Sequence, residues 1–169
     1  MLPAPAPGLD QPLAMLRACH ERILRQCTTL TRLAMHLRAD GLTPAARQAA
    51  ADVVRYFSTA GRHHHEDEEQ DLFPRLRTHP DLAGLLAALA SDHQRMEALW
   101  ARLAPLLSAP ETIRDFDAFG KLVSEFTALY TAHIETENRD LLPRAEQLLP
   151  EDALHQITAR MAARRGVRL

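Results

Sequence analysis

The segment HHEDEEQDLFPR at residues 64–75 returns 69 residues later as HIETENRDLLPR at 133–144. His64/His133, Glu66/Glu135, Glu68/Glu137, Asp71/Asp140, Leu72/Leu141, Pro74/Pro143 and Arg75/Arg144 are shared, and Phe57 and Phe126 each stand seven residues before their histidine. A fainter echo sets HERI (20–23) against HQRM (93–96) at an offset of 73. Such a chain is built of two related units, and the repeat constrains its fold more than any single residue does.

The units read as helical. β-branched residues are few, no Asn-Gly or Asp-Gly hairpin separates alternating runs, and Ala, Leu, Arg and Glu dominate. Punctuation divides the chain at DGLTP (40–44), THPD (78–81), SAPET (108–112) and LLPED (148–152). Within the first, Gly41 ends a helix, Thr43 is an N-cap and Pro44 takes the first helical position. Helices are expected near 11–39, 44–77, 81–106 and 112–148, with a short fifth ending about Arg165. Short connections make neighbours antiparallel. The expected fold is all-α: an up-down-up-down four-helix bundle over residues 12–148, a flexible Pro/Ala-rich arm at 1–11, and a short C-terminal helix with a basic tail at 149–169.

Charge and composition narrow the function. With 20 Lys+Arg against 22 Asp+Glu there is no broad basic field for nucleic acid. No apolar run approaches the ~20 residues a membrane span needs. The opening MLPAPAPGLDQP has no basic start and no apolar h-region, so it does not read as a secretory signal, and a cytoplasmic location is expected. Cys19 and Cys27, on one helix, would lie ~12 Å apart along its axis. That is beyond disulfide reach, so free, mostly buried thiols are expected.

In an antiparallel hairpin, two residues share one level when the turn lies midway between them. The midpoint of His20 and His64 is residue 42, inside DGLTP; that of His64 and His93 falls at 78–79, inside THPD. For His93 and His133 it is 113, just past SAPET. Four histidines are therefore expected at one level. His64–Glu68, His93–Glu97 and His133–Glu137 are spaced i, i+4, each pair on one helix face. An ion pair on a wet surface is the ordinary explanation of one such pair, but it does not explain three at one height beside His20. Imidazole and carboxylate without thiolate suit iron, manganese or zinc, and bundle interiors build two-metal sites from facing helices.

With these motifs on the page (ACHER, HHEDEEQDLFP, SDHQRME and HIETENRDLLP), the sequence resembles the hemerythrin-like, HHE cation-binding family over about residues 12–148. The resemblance implies two non-haem irons with an oxo or hydroxo bridge, with manganese or zinc able to replace them in recombinant protein. Glu68 and Glu137 would bridge, and His20, His64, His93 and His133 would be terminal ligands. Oxygen-carrying members have another histidine four residues after the helix-three ligand; this chain has Glu97 there, which is taken as a seventh ligand and speaks against bulk oxygen transport. The expected ligand is dioxygen, nitric oxide or peroxide, in sensing, scavenging or iron handling, with an unspecified protein partner in the case of a sensor. A di-iron oxidoreductase with a small-molecule substrate and a closed storage or structural site are the alternatives.

Other residues receive plainer readings. His65 also has a Glu four residues on, but only the His64 register aligns both Asp-Leu-x-Pro tails. His36, His63, His79 and His155 lie off the level; Glu66, Asp67 and Glu69 are expected in solvent. Asp71 and Asp140 read either as acceptors for imidazole N–H groups or as surface residues. Phe57, Trp100, Phe126 and Tyr130 read as core aromatics, Tyr130 within reach of a bound ligand. Pro74 and Pro143 are expected to kink or end their helices.

Overall fold

A computed structural model describes residues 11–167. The expected N-terminal arm, apart from residue 11, and the last two residues of the tail lie outside that range. All regular structure among the described residues is helical. It forms five runs: α1 (Pro12–Asp40), α2 (residues 44–76), α3 (Ala83–Ser108), α4 (residues 116–148) and α5 (Glu151–Arg164). α1 packs on α2 and α4, α3 packs on the same two helices, and α5 lies against α1 and α2. Among the described residues no helix is long and apolar enough to cross a membrane.

The caps explain most boundaries. Gly41, at φ 73°, ends α1, and the Thr43 hydroxyl accepts the Ala46 N–H at 3.2 Å to open α2. α4 begins four residues later than expected. Pro110–Thr112 forms a 3₁₀ turn, and the Asp115 carboxylate caps the new helix by accepting the N–H groups of Asp117 and Ala118. The α3–α4 connection thus centres near residue 112, which brings His93 and His133 to one level.

Pro74 and Pro143 do not end their helices. Each follows a π-helical turn, Glu68–Leu72 in α2 and Glu137–Leu141 in α4, after which α-helix resumes. In an unbroken α-helix each proline ring would strike the carbonyl four residues back, that of Gln70 or Arg139. Those carbonyls lie inside the π turns, where the wider i→i+5 winding makes room. The two π turns occupy equivalent repeat positions, and each starts on a repeated glutamate. α2 alone carries another, Phe57–Gly61.

The apolar core is split in two. One cluster runs from Ile23, Leu30 and Leu37 through Val53 and Phe57 to Leu103, Phe126 and Ile134. The other gathers Leu16, Leu72, Phe73, Leu89, Leu141 and, from α5, Ile157 and Met161. On three helices the switch between them falls at a histidine, His20 between Leu16 and Ile23, His64 between Phe57 and Leu72 and His93 between Leu89 and Met96; on α4 it falls between Ile134 and Leu141, just past His133 and around Glu137. A polar layer therefore crosses an otherwise apolar interior.

Candidate metal centre

Burial against α1, α2, α3 and α4 turns six side chains into that layer: His20, His64, Glu68, His93, His133 and Glu137, none more than 2% exposed. They form two overlapping groups of potential ligand atoms lying within 4.8 Å of one another: His20, His64, Glu68 and Glu137, and Glu68, His93, His133 and Glu137. Both carboxylates belong to both groups. The four imidazole Nε2 atoms point inward. Glu68 turns Oε1 toward His64 (3.3 Å) and His20 (3.7 Å) and Oε2 toward His93 (3.4 Å). Glu137 Oε2 faces His20 at 3.1 Å and His133 at 3.3 Å, and the Nε2 atoms of His93 and His133 are 3.0 Å apart.

Two atoms bound to one cation at about 2.1 Å and a right angle are about 3 Å apart, so these separations are those of ligands converging on a centre. All four oxygens of Glu68 and Glu137, with His20 Nε2, are buried and make no well-directed hydrogen bond. Buried carboxylate oxygens without donors are costly. A cation satisfies them all, and the donor set fits it.

Two of the four outward nitrogens have hydrogen-bond partners. His20 Nδ1 meets Asn138 Oδ1 at 2.9 Å, and His93 Nδ1 meets Glu69 Oε1 at 2.8 Å. Such partners fix the tautomer and aim of a metal-ligating ring. Glu69 and Asn138 each follow a clustered glutamate and are equivalent in the 69-residue repeat, just as His93 and His20 are equivalent in the 73-residue one. His133 Nδ1 lies 3.6 Å from Asp92. Asn138 and Asp92 were missed in the sequence, and Glu69 was expected in solvent; position 138 was signalled only by being polar where its repeat counterpart is.

Burial pulls the His20 and His93 rings toward neutrality, but close contact with the carboxylates outweighs it. Glu137 and Glu68 push His20 up to about 10; Glu68 and Glu69 push His93 up to about 9. His64 is lowered, chiefly by burial. Burial would raise the Glu68 carboxyl, yet the imidazoles of His64, His20 and His93 hold it well below the usual range. Without a metal, protons on His20 and His93 provide the positive charge that the carboxylates require.

Three expectations change. Glu97 lies outside both groups: it is exposed and lines a cleft between α2 and α3 with His65. One turn past His93 the α3 surface has rotated toward that cleft. His65, passed over for His64 as a ligand, lies outside both groups as expected; it is 8% exposed, stacks on the His93 ring with centroids 4.0 Å apart, and shares a hydrogen bond with the Tyr130 hydroxyl at 3.2 Å. Asp67 is fully buried rather than solvated, paired with Arg165 at 2.6 Å and with Arg164; Asp71, read as an imidazole acceptor or a surface residue, is neither, being fully buried and paired with Arg164 at 2.8 Å. Asp140 stays at the surface with Arg139.

Fold and layer together define a helical protein with a buried histidine–carboxylate cation site. Residues 11–145 match the hemerythrin HHE cation-binding domain, and the chain belongs to that family. It is also 30% identical over 160 residues to an uncharacterized protein of Haemophilus influenzae, across 94% of this chain and 92% of the relative.

Proposed function

We propose that this hemerythrin-like, metal-binding chain is a cytoplasmic non-haem di-iron protein on an up-down-up-down four-helix bundle. It binds or reacts with dioxygen, nitric oxide or peroxide as a sensor, scavenger or iron handler. The observation that carries this reading is the sharing of Glu68 and Glu137 by two four-residue groups. Shared carboxylates are what a pair of cations about 3.5–4 Å apart uses, and four imidazoles with two carboxylates and no thiolate suit iron. Two irons held there would supply electrons singly or as a pair to a bound oxidant. The protein residues bind and orient: Glu68 spans the two groups with its two oxygens, Asn138 and Glu69 fix His20 and His93, and the apolar clusters on either side exclude water. A carboxylate stands at position 97, where oxygen carriers place a histidine, and it lies outside both groups, which supports a role other than bulk transport.

The test is exogenous ligand binding. Azide added to the oxidised, iron-loaded protein should change its optical spectrum, showing a coordination position open to small ligands. An unchanged spectrum at saturating azide would mean a closed storage or structural site.

A further inference from the structure

We propose that the cleft between α2 and α3 is a second binding site, for a neutral small molecule with an apolar body and a single hydroxyl or hydroperoxy head. The cleft has a volume of about 360 Å³ and is lined by none of the six clustered ligands. That volume is at the small end for organic ligands. Its floor is Phe57, Gly61, His65, Met96 and Tyr130, all buried, and Trp100, Ala101, Arg62 and Glu97 form its walls and mouth.

The internal repeat singles this cleft out. At the equivalent positions of the other half, Ile134 stands for His65, Leu24 for Glu97 and Gly61 for Tyr130. The same stretch of α2 holds the extra π turn, Phe57–Gly61, whose counterpart in α4 is plain α-helix. At Gly61 a Cβ would sit 3.2 Å from the Phe57 ring. The two halves agree on the ligands and differ at the cleft, so the cleft has a requirement that the cation layer does not share.

The lining sets the ligand class. Aromatic and thioether walls favour an apolar body. Tyr130 and His65 already share one hydrogen bond at 3.2 Å. Whichever of them donates, the tyrosine oxygen keeps a free lone pair, so the matching head group is a donor. Arg62 is engaged with Glu66 at 3.3 Å, and Glu97 stands at the mouth. An anion would therefore meet Glu97, and a cation would have to leave water for an apolar floor. A neutral hydroxyl compound avoids both.

Trp100 is the chain's one tryptophan, so its emission reports on this cleft. The probes are benzyl alcohol, toluene, benzoate and benzylamine, titrated into the full-length protein as purified, with metal content measured on the same sample. Benzyl alcohol should change the emission saturably at about millimolar concentration. Toluene should bind about two- to tenfold more weakly, the worth of one hydrogen bond, and neither ion should saturate. Tyr130→Phe should erase the preference for the alcohol over toluene, and Ala101→Leu, on the exposed wall, should abolish both. No saturable change with benzyl alcohol, equal binding of benzoate, or an unaltered titration in Ala101→Leu would overturn the proposal. Chelation of the metal should leave the titration unchanged, so a failed pocket and a failed di-iron reading are separable.

Discussion

The same four helices carry two kinds of interior, and they are held together differently. In the apolar clusters, side chains such as Leu30 and Leu103 are fully buried, and burial itself stabilises them by about 1.5–3 kcal/mol each. In the layer between, burial works against the residues: four imidazoles and two carboxylates leave water, and all four carboxylate oxygens lack a directed hydrogen bond. The apolar clusters force the polar layer together, and a cation makes that layer favourable. Fold and site are thus separable, which can be tested by disturbing each alone.

The largest contrast is between Glu137→Ala and Leu103→Ala. Loss of a shared carboxylate should remove most bound metal while far-UV circular dichroism stays helical, because the apolar clusters are intact. Leu103→Ala should cost about 2–5 kcal/mol of stability through its cavity yet keep the metal. His63→Ala, on the same helix as His64 but off the layer, should alter neither. Full metal in Glu137→Ala, or metal loss in Leu103→Ala, would mean that the two interiors are not independent.

A smaller effect is expected one shell out. Glu69→Ala and Asn138→Ala each free the outward nitrogen of one ligand ring, and should weaken metal binding about 10–100-fold. By the repeat, the two should behave alike. Competition with a calibrated chelator measures this, and an unequal pair would show that the two halves of the layer differ as the cleft does.

The smallest effect is a pH dependence confined to the metal-free state. His20 and His93 have folded values raised from 6.5 to about 10 and about 9. A raised value contributes stability that is complete below 6.5 and lost as pH rises through the folded value. The metal-free protein should therefore lose stability between about pH 6.5 and 10, while the metal-loaded protein, whose imidazoles are already neutral ligands, stays flat. Metal addition at pH 7.5 should release protons, measurable in a weakly buffered solution. A rising stability of the metal-free form over that range would contradict the assignment.

Much of this was legible beforehand because it rests on periodicity. Breakers such as Gly41 and Pro44 mark the helix ends, and equal rise per residue puts four histidines on one level. The repeat separates His64 from His65. What escaped depends on partners remote in sequence. Asp67 looks solvated until Arg164 and Arg165, 97 and 98 residues away, reach it from α5. Glu97 has a ligand's spacing, but spacing cannot show that α3 turns that position into a cleft. The π turns were invisible because Pro74 and Pro143 announce only that something must give; whether a helix stops, kinks or widens is decided by packing on both sides.

The most direct test is metal stoichiometry in protein purified from cells grown with ample iron, read together with its Mössbauer spectrum. Two irons per chain, magnetically coupled after air oxidation, is the expected result. One tightly held zinc with no iron, or a single uncoupled iron, would contradict the shared-carboxylate centre.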